Sequence, residues 1–206
     1  LRIDLLHLQA WPTLLGVRTK SSRGIPVLLA TAALILAGPP AAGASTARSA
    51  FGCRGANARP TPRNLGLIRS ATLCLIDQAR ASVGARPLRA NRSLQTVAEN
   101  QAVGMVRFDY FADVSPTGKS PAALIHATRY AARASLITGE DIGWGTGYEA
   151  TAEEMVNTWL QSPPHREIML DSAFRNAGIG VIAAVPSFVG SRRGATYAIE
   201  FGARLR

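Results

Sequence analysis

Three short stretches carry side chains that could do chemistry. "FADVSP" (111–116) places a lone acid, Asp113, between an apolar segment and a turn. "GEDIGWG" (139–145) places Glu140 and Asp141 among glycines, beside Trp144. "SPPHR" (162–166) places His165 behind two prolines. A histidine held by Ser-Pro-Pro at the start of a short helix has a fixed direction, and an imidazole can ligate a metal or move a proton near neutral pH. The competing reading is a polar contact that pins the loop. Glu140, next to a glycine in a β-like run, can point into a cleft to orient an imidazole, ligate a metal or accept a hydrogen bond. A structural acceptor within the sheet is the alternative. Asp113 is either a solvated loop acid or a group standing in a site.

No nucleophile is prepared. Ser115 and Ser162 sit in Ser-Pro turns, where a hydroxyl caps a turn or helix. Neither lies in a Gly-x-Ser-x-Gly elbow, and there is no phosphate loop or dinucleotide fingerprint. Cys53 and Cys74 are the two cysteines. In an exported chain such a pair reads as a disulfide, with two buried thiols as the alternative. It would tie an N-terminal arm to the first helix.

Export is expected from the N-terminus. Arg18, Lys20 and Arg23 precede an uncharged apolar run, "IPVLLATAALILA" (25–37), followed by small residues including Ala42-Gly43-Ala44. The run is shorter than the roughly 20 apolar residues of a membrane span. Residues 1–44 are therefore read as a signal peptide leaving no stable transmembrane anchor, and residues 1–16 as preceding a true start at Val17. The expected location is secreted, extracellular or on the cell envelope. With 23 Lys+Arg against 13 Asp+Glu, the chain is basic, and only Lys20 and Lys119 are lysines. The arginines reflect either coding bias or a surface suited to an anionic partner. No run of five like charges and no basic–aromatic alternation occurs, so no specific nucleic-acid partner is expected.

The elements that must hold these groups follow. Residues 45–61 form a loose arm and 62–206 the domain. Thr61-Pro62 reads as an N-cap and first helical residue, opening a helix that ends at Gly84. A second helix begins near Ser93, with Leu94, Val97, Ala98, Gln101, Ala102 and Met105 on one stripe. Ser120-Pro121 opens a third through "AALIHATRYAA", and Thr151 with Glu154 forms a capping box before a fourth. "SPPHREIML" is a proline-interrupted turn and short helix. "ASLITGEDIGWGTG" supplies one strand at most, and "NAGIGVIAAV" and "ATYAIEFGAR" two more. Helices first and strands last indicate an α+β fold with a helix-flanked sheet; an all-α bundle is the weaker alternative.

Four segments together resemble the CAP superfamily: cysteine-rich secretory proteins, antigen-five allergens and plant pathogenesis-related-one proteins, in their bacterial secreted branch. They are "LCLIDQARASVGARPLRANRSLQTVAENQAVGM", "YFADVSPTGKSP", "GEDIGWGTG" and "WLQSPPHREIML", with "AGIGV" and "FG" after them. The resemblance implies an α-β-α sandwich around a central antiparallel sheet. It also implies a cleft lined by two histidines and acidic residues, which in some members hold a divalent metal. It fixes fold better than function, because the family's activities range from sterol and fatty-acid binding to signalling and hydrolysis.

On this resemblance His165 matches one cleft histidine and Glu140 the glutamate, the two candidates for a catalytic role. Asp113 stands where the other histidine belongs. Asp141 replaces an asparagine, and an ionised Asp cannot donate as an amide does. Ile168 stands where asparagine is common. His126 is read as a surface or packing residue, and His7 falls in the leader. The set Asp113, Glu140 and His165 would suit Mg²⁺, Mn²⁺ or Ca²⁺ better than Zn²⁺. A metal-free Asp113–His165 pair and a decayed site are the other arrangements. Tyr110, Phe111, Trp144 and Trp159 are expected in the core and cleft wall, with Trp144 also a candidate ligand contact. The favoured function is a secreted, non-enzymatic binding module for a lipid, peptide or envelope ligand. The alternative is a metal-assisted hydrolase.

Overall fold

The computed structural model describes residues 52–190 and 193–205. The expected leader and most of the arm lie outside these residues. The arm's described part is tied down by a Cys53–Cys74 disulfide with an S–S distance of 2.00 Å. Cys74 lies on the first helix, so the bridge joins the arm to that helix as expected.

Helix α1 spans Leu65–Ser82 and buries Ile68, Ala71, Thr72, Ile76 and Arg80. It starts later than Thr61-Pro62. Asn64 stands at the cap, and its side chain closes a preceding turn, accepting from Thr61 N at 2.7 Å and donating to Arg59 O at 3.0 Å. Gly84 ends the helix with φ +74°, a left-handed conformation that glycine adopts without steric cost.

Helix α2 (Arg92–Arg107) is capped by Asn91, whose Oδ1 accepts from Ser93 N and Leu94 N at 3.0 and 3.2 Å. Its buried residues are the six of the expected stripe. Helix α3 (Pro121–His126) has Ser120 as cap, its Oγ accepting from Ala123 N at 3.3 Å. It stops at His126, well before the expected end, because the chain tightens into a 3-10 turn at Arg129–Ala131 that buries Tyr130. Helix α4 (Ala152–Gln161) is capped by Thr151, whose Oγ1 accepts from Glu154 N at 3.4 Å. Helix α5 (Pro163–Leu170) follows directly, with proline in the first turn, where no N–H is needed.

Four strands make one sheet in the order β1-β3-β4-β2: β1 Arg89–Ala90, β2 Ser135–Thr146, β3 Asn176–Ile182 and β4 Gly194–Leu205. β2 and β4 pair antiparallel over their full lengths, from Ser135↔Leu205 to Thr146↔Gly194. β3 is antiparallel to β4, but β1 runs parallel to β3. The sheet is thus mixed rather than wholly antiparallel. A two-residue strand is too short to show alternation, which is why β1 is not legible in the sequence.

One face of the sheet carries α2, the other α1, α4 and α5, which gives the α-β-α sandwich. On the α2 face, Cβ atoms placed on Gly178 and Gly180 would lie 2.0 and 2.1 Å from α2 backbone atoms, so glycine there lets the helix rest on the strand. The larger core, on the other face, packs Ile68 and Ile76 against Met155, Trp159, Tyr197 and Phe201. Arg80 is wholly buried at this face. Its guanidinium donates to Met169 O (2.7 Å), Asp171 O (3.0 Å), Phe174 O (3.3 Å) and Arg86 O (3.0 Å), tying α1 to the chain between α5 and β3.

Candidate functional site

Alternation along β2 sends Gly139, Asp141 and Gly143 to one face and Glu140, Ile142 and Trp144 to the other. Gly139 faces Ile168 and Phe174, and Gly143 faces Met155 and Trp159, which identifies their side as the α4/α5 layer. Ile142 packs with Ala98, Ala102 and Met105, which identifies the other as the α2 layer. Ile168, the apolar residue where an asparagine was the family expectation, rests over Gly139.

Glu140 lies directly opposite Glu200 of β4, on the same face. Their carboxyl oxygens are buried, and no other protein group donates to them. Facing each other across the strand pair, the two carboxyl groups could share a hydrogen bond only if one kept its proton. Burial raises both pKa values, and the negative charges of Glu200 and Asp113 push Glu140 further up. Glu200 is raised chiefly by burial, to about 8. On the opposite face Asp141 is 1% exposed, and neither of its oxygens has a partner. Burial, then Asp113, raises it well above the usual carboxylate range. Burial therefore disfavours the ionised form of Asp141, and no hydrogen-bond partner for its carboxyl group is in place among the described residues.

Asp113 itself is exposed. Its charge reaches Glu140, Glu200 and Asp141, and also His165. β2 is the terminal strand of the sheet, and the Asp113 charge acts on β2 side chains of both faces, Glu140 on one and Asp141 on the other. The loop carrying Asp113 is held by Gln101, whose Nε2 donates to Ala112 O and Asp113 O, each at 3.0 Å. Gln101 is the one polar member of the α2 stripe. Tyr110 donates to Gln101 Oε1 at 3.4 Å, and its own pKa is raised by burial and by the Glu140 charge.

His165 is half-buried on α5, with Nδ1 2.8 Å from Ser162 Oγ. Burial lowers its pKa, and Asp113 partly offsets this. The imidazole is therefore neutral near pH 7. Ser162 corrects one expectation: its hydroxyl orients His165 and caps no backbone N–H of α5. Ser115 does close its turn, accepting from Lys119 N at 3.2 Å. His126 is exposed, as expected. Trp159 is fully buried and donates to Ile142 O at 2.9 Å. Trp144 is buried on the same strand as Glu140, edge-on to Phe188 at 6.4 Å, with its indole N–H unpartnered.

The tertiary structure thus brings Asp113 within electrostatic reach of both Glu140 and His165, which lie on opposite faces of the sheet. It does not make them a metal cage: among the described residues no three His, Cys, Asp or Glu side chains converge closely enough to hold one ion. Ligand carboxylates must also be deprotonated, and burial opposes that for Glu140 and Glu200. A divalent metal does not fit this donor set. The residue missed from the sequence is Glu200. Its signal was a single acid inside the apolar run "TYAIEFGA".

The family model of the cysteine-rich secretory proteins matches residues 73–185, more than half the chain. The chain belongs to this CAP family. Its CAP domain is 26% identical over 121 residues to the uncharacterized protein YkwD of Bacillus subtilis, covering 59% of this chain and 45% of that one. The chain thus spans less than half the length of that relative. In structure it is similar to an outer surface protein of Borrelia burgdorferi (TM-score 0.55, 19% identity, 71% of this chain and 96% of that). An extracellular protein of Bacillus anthracis containing an SCP domain is also similar (TM-score 0.52, 20% identity, 69% of this chain and 43% of that). These likenesses establish the α+β CAP fold. Among the described residues no helix is long and apolar enough to cross a membrane.

Proposed function

We propose that this CAP domain works outside the cytoplasm as a non-enzymatic binding module, and that its ligand is a hydrogen-bond-rich peptide segment of the cell envelope or its surroundings. One observation carries the reading. Every buried side-chain nitrogen or oxygen without a partner, among the described residues, belongs to Glu140, Asp141, Trp144 or Glu200. Unsatisfied polar groups are expensive in a core and are retained where something else completes them. A peptide brings backbone N–H and C=O groups, and β2, as the terminal strand, offers an outer edge to which an extended segment could add. The location is supported by the signal-like leader and by the neighbours described as an outer surface protein and an extracellular protein. Hydrolysis is the weaker reading, because among the described residues the one hydroxyl hydrogen-bonded to His165 is that of Ser162, which orients the ring.

The test is calorimetry of the purified domain with pools of short envelope peptides and with lipid vesicles, followed by hydrogen exchange. Protection of the β2 amides by peptide is the expected result. Absence of binding to any peptide pool would overturn the peptide reading, and retention by vesicles alone would move the ligand to lipid. A rise in melting temperature with Mg²⁺, Mn²⁺, Ca²⁺ or Zn²⁺ that His165→Ala abolishes would instead restore the metal-assisted alternative.

A further inference from the structure

A second site is built at the other side of the sheet, where β1 and β3 begin and β4 ends. A groove of about 690 Å³ is lined by Arg86, Arg89, Arg175 and Arg204 together with Pro87, Leu88 and Asn176, and none of its lining residues is acidic. Two acids lie nearby, and Asp171 accepts from Ala173 N at 2.8 Å. Asp77 accepts from Leu88 N at 2.8 Å, and the charges of Asp77 and Asp171 act on buried Arg80. Among the described residues no carboxylate forms an ion pair with any of the four groove arginines.

Two of them are already fixed. Arg204 Nη2 donates to Ala132 O at 2.8 Å. Arg175 Nη1 donates to the carbonyls of Ser172, Ala173 and Phe174. Arg86 and Arg89 are exposed, with no carboxylate partner among the described residues. Two preset guanidinium groups and two free ones around one groove form a clamp rather than a scattered basic surface. Guanidinium donors match phosphate oxygens in pairs, and four such charges call for an anion with several negative charges in a small span.

We infer that this groove binds an anion carrying clustered phosphate groups. The source is either a soluble or polymeric phosphate or the headgroups of an anionic lipid surface. The site is independent of the β2 cleft and stands whether or not that cleft takes a peptide.

The experiment measures binding of tripolyphosphate, and of phosphatidylglycerol-containing vesicles, to the full chain at low ionic strength. The groove variant is Arg86→Gln with Arg89→Gln. The control removes equal charge from the N-terminal arm, Arg54→Gln with Arg59→Gln. Neither altered groove side chain makes a hydrogen bond within the described protein, so the melting temperature should not change. Binding should weaken about tenfold or more in the groove variant and far less in the control. Arg89→Glu alone should reproduce the loss. Binding of tripolyphosphate without vesicles assigns the site to soluble or polymeric phosphate, and groove-dependent vesicle binding assigns it to headgroups. Equal losses in groove and control variants, or no binding of either probe, would overturn the inference.

Discussion

Two places in this domain bury charge-bearing side chains, and they treat them in opposite ways. Arg80 is fully enclosed, and four backbone carbonyls accept from it while Asp77 and Asp171 act on its charge. Glu140, Glu200 and Asp141 are enclosed too, but no donor outside the acid cluster reaches their oxygens. A buried charge with all its hydrogen bonds made fastens chain segments together. Buried acids without such partners are costly unless they keep their protons or meet a ligand. The first arrangement reads as structure, the second as a site.

The contrast breaks most visibly at Arg80. Arg80→Ala should cost about 3–5 kcal/mol in denaturant unfolding, since it strands four carbonyls around the space the side chain leaves. A cost under about 1 kcal/mol would erase the distinction. Removing the neighbouring disulfide with Cys53→Ser and Cys74→Ser should cost roughly 3 kcal/mol by loop entropy. That loss should be the same at pH 5 and pH 8, because the bridge does not titrate.

The carboxyl region, by contrast, should be pH-sensitive. Glu140, Glu200 and Asp141 all have raised pKa values when folded. The folded state then binds more protons than the unfolded chain between the ordinary carboxylate range and about 8, the value for Glu200. Stability is therefore fully present at acid pH and falls as pH rises, by roughly 3–4 kcal/mol between pH 5 and 8 from Glu200 alone. His165, with a lowered pKa, acts oppositely only below its usual value, so it does not reverse the fall above it. A melting temperature that rises across this window would refute the protonated cluster.

Glu200→Gln sharpens the point. Its amide can donate to Glu140 without needing a shared proton, so the variant should gain about 1–2 kcal/mol at pH 8 and less at pH 5. The smallest effect is expected from His165→Ala, below about 1 kcal/mol in unfolding, since the ring is only half-buried and its bond to Ser162 is local. A larger loss would make His165 a structural pin rather than a cleft group.

Much of the scaffold is legible along the chain. The α2 stripe, the Ser120 and Thr151 caps and both C-terminal strands follow from spacing and local hydrogen bonding. The departures occur where a distant or local contact overrides the pattern. Asn64 takes the α1 start from Thr61, the turn at Tyr130 shortens α3, and β1 exists only because β3 lies beside it.

The candidate site was half visible. Asp113, Glu140 and His165 stand out as polar residues at turns and glycines, but Glu200 is identified only by its register partner. The same holds for the arginine groove: Arg86 and Arg89 lie far before Arg175 in the chain, and nothing in local pattern joins them.

By itself, then, the sequence determined most of the elements, the family and the histidine-to-aspartate change at Asp113, because these depend on near neighbours and motif spacing. Only the tertiary structure decided what the acids are. Strand register sets Glu140 against Glu200, and the packing of helices on both faces removes water from them and from Asp141. Protonation follows from that desolvation, a property of the folded surroundings that residue identity does not carry.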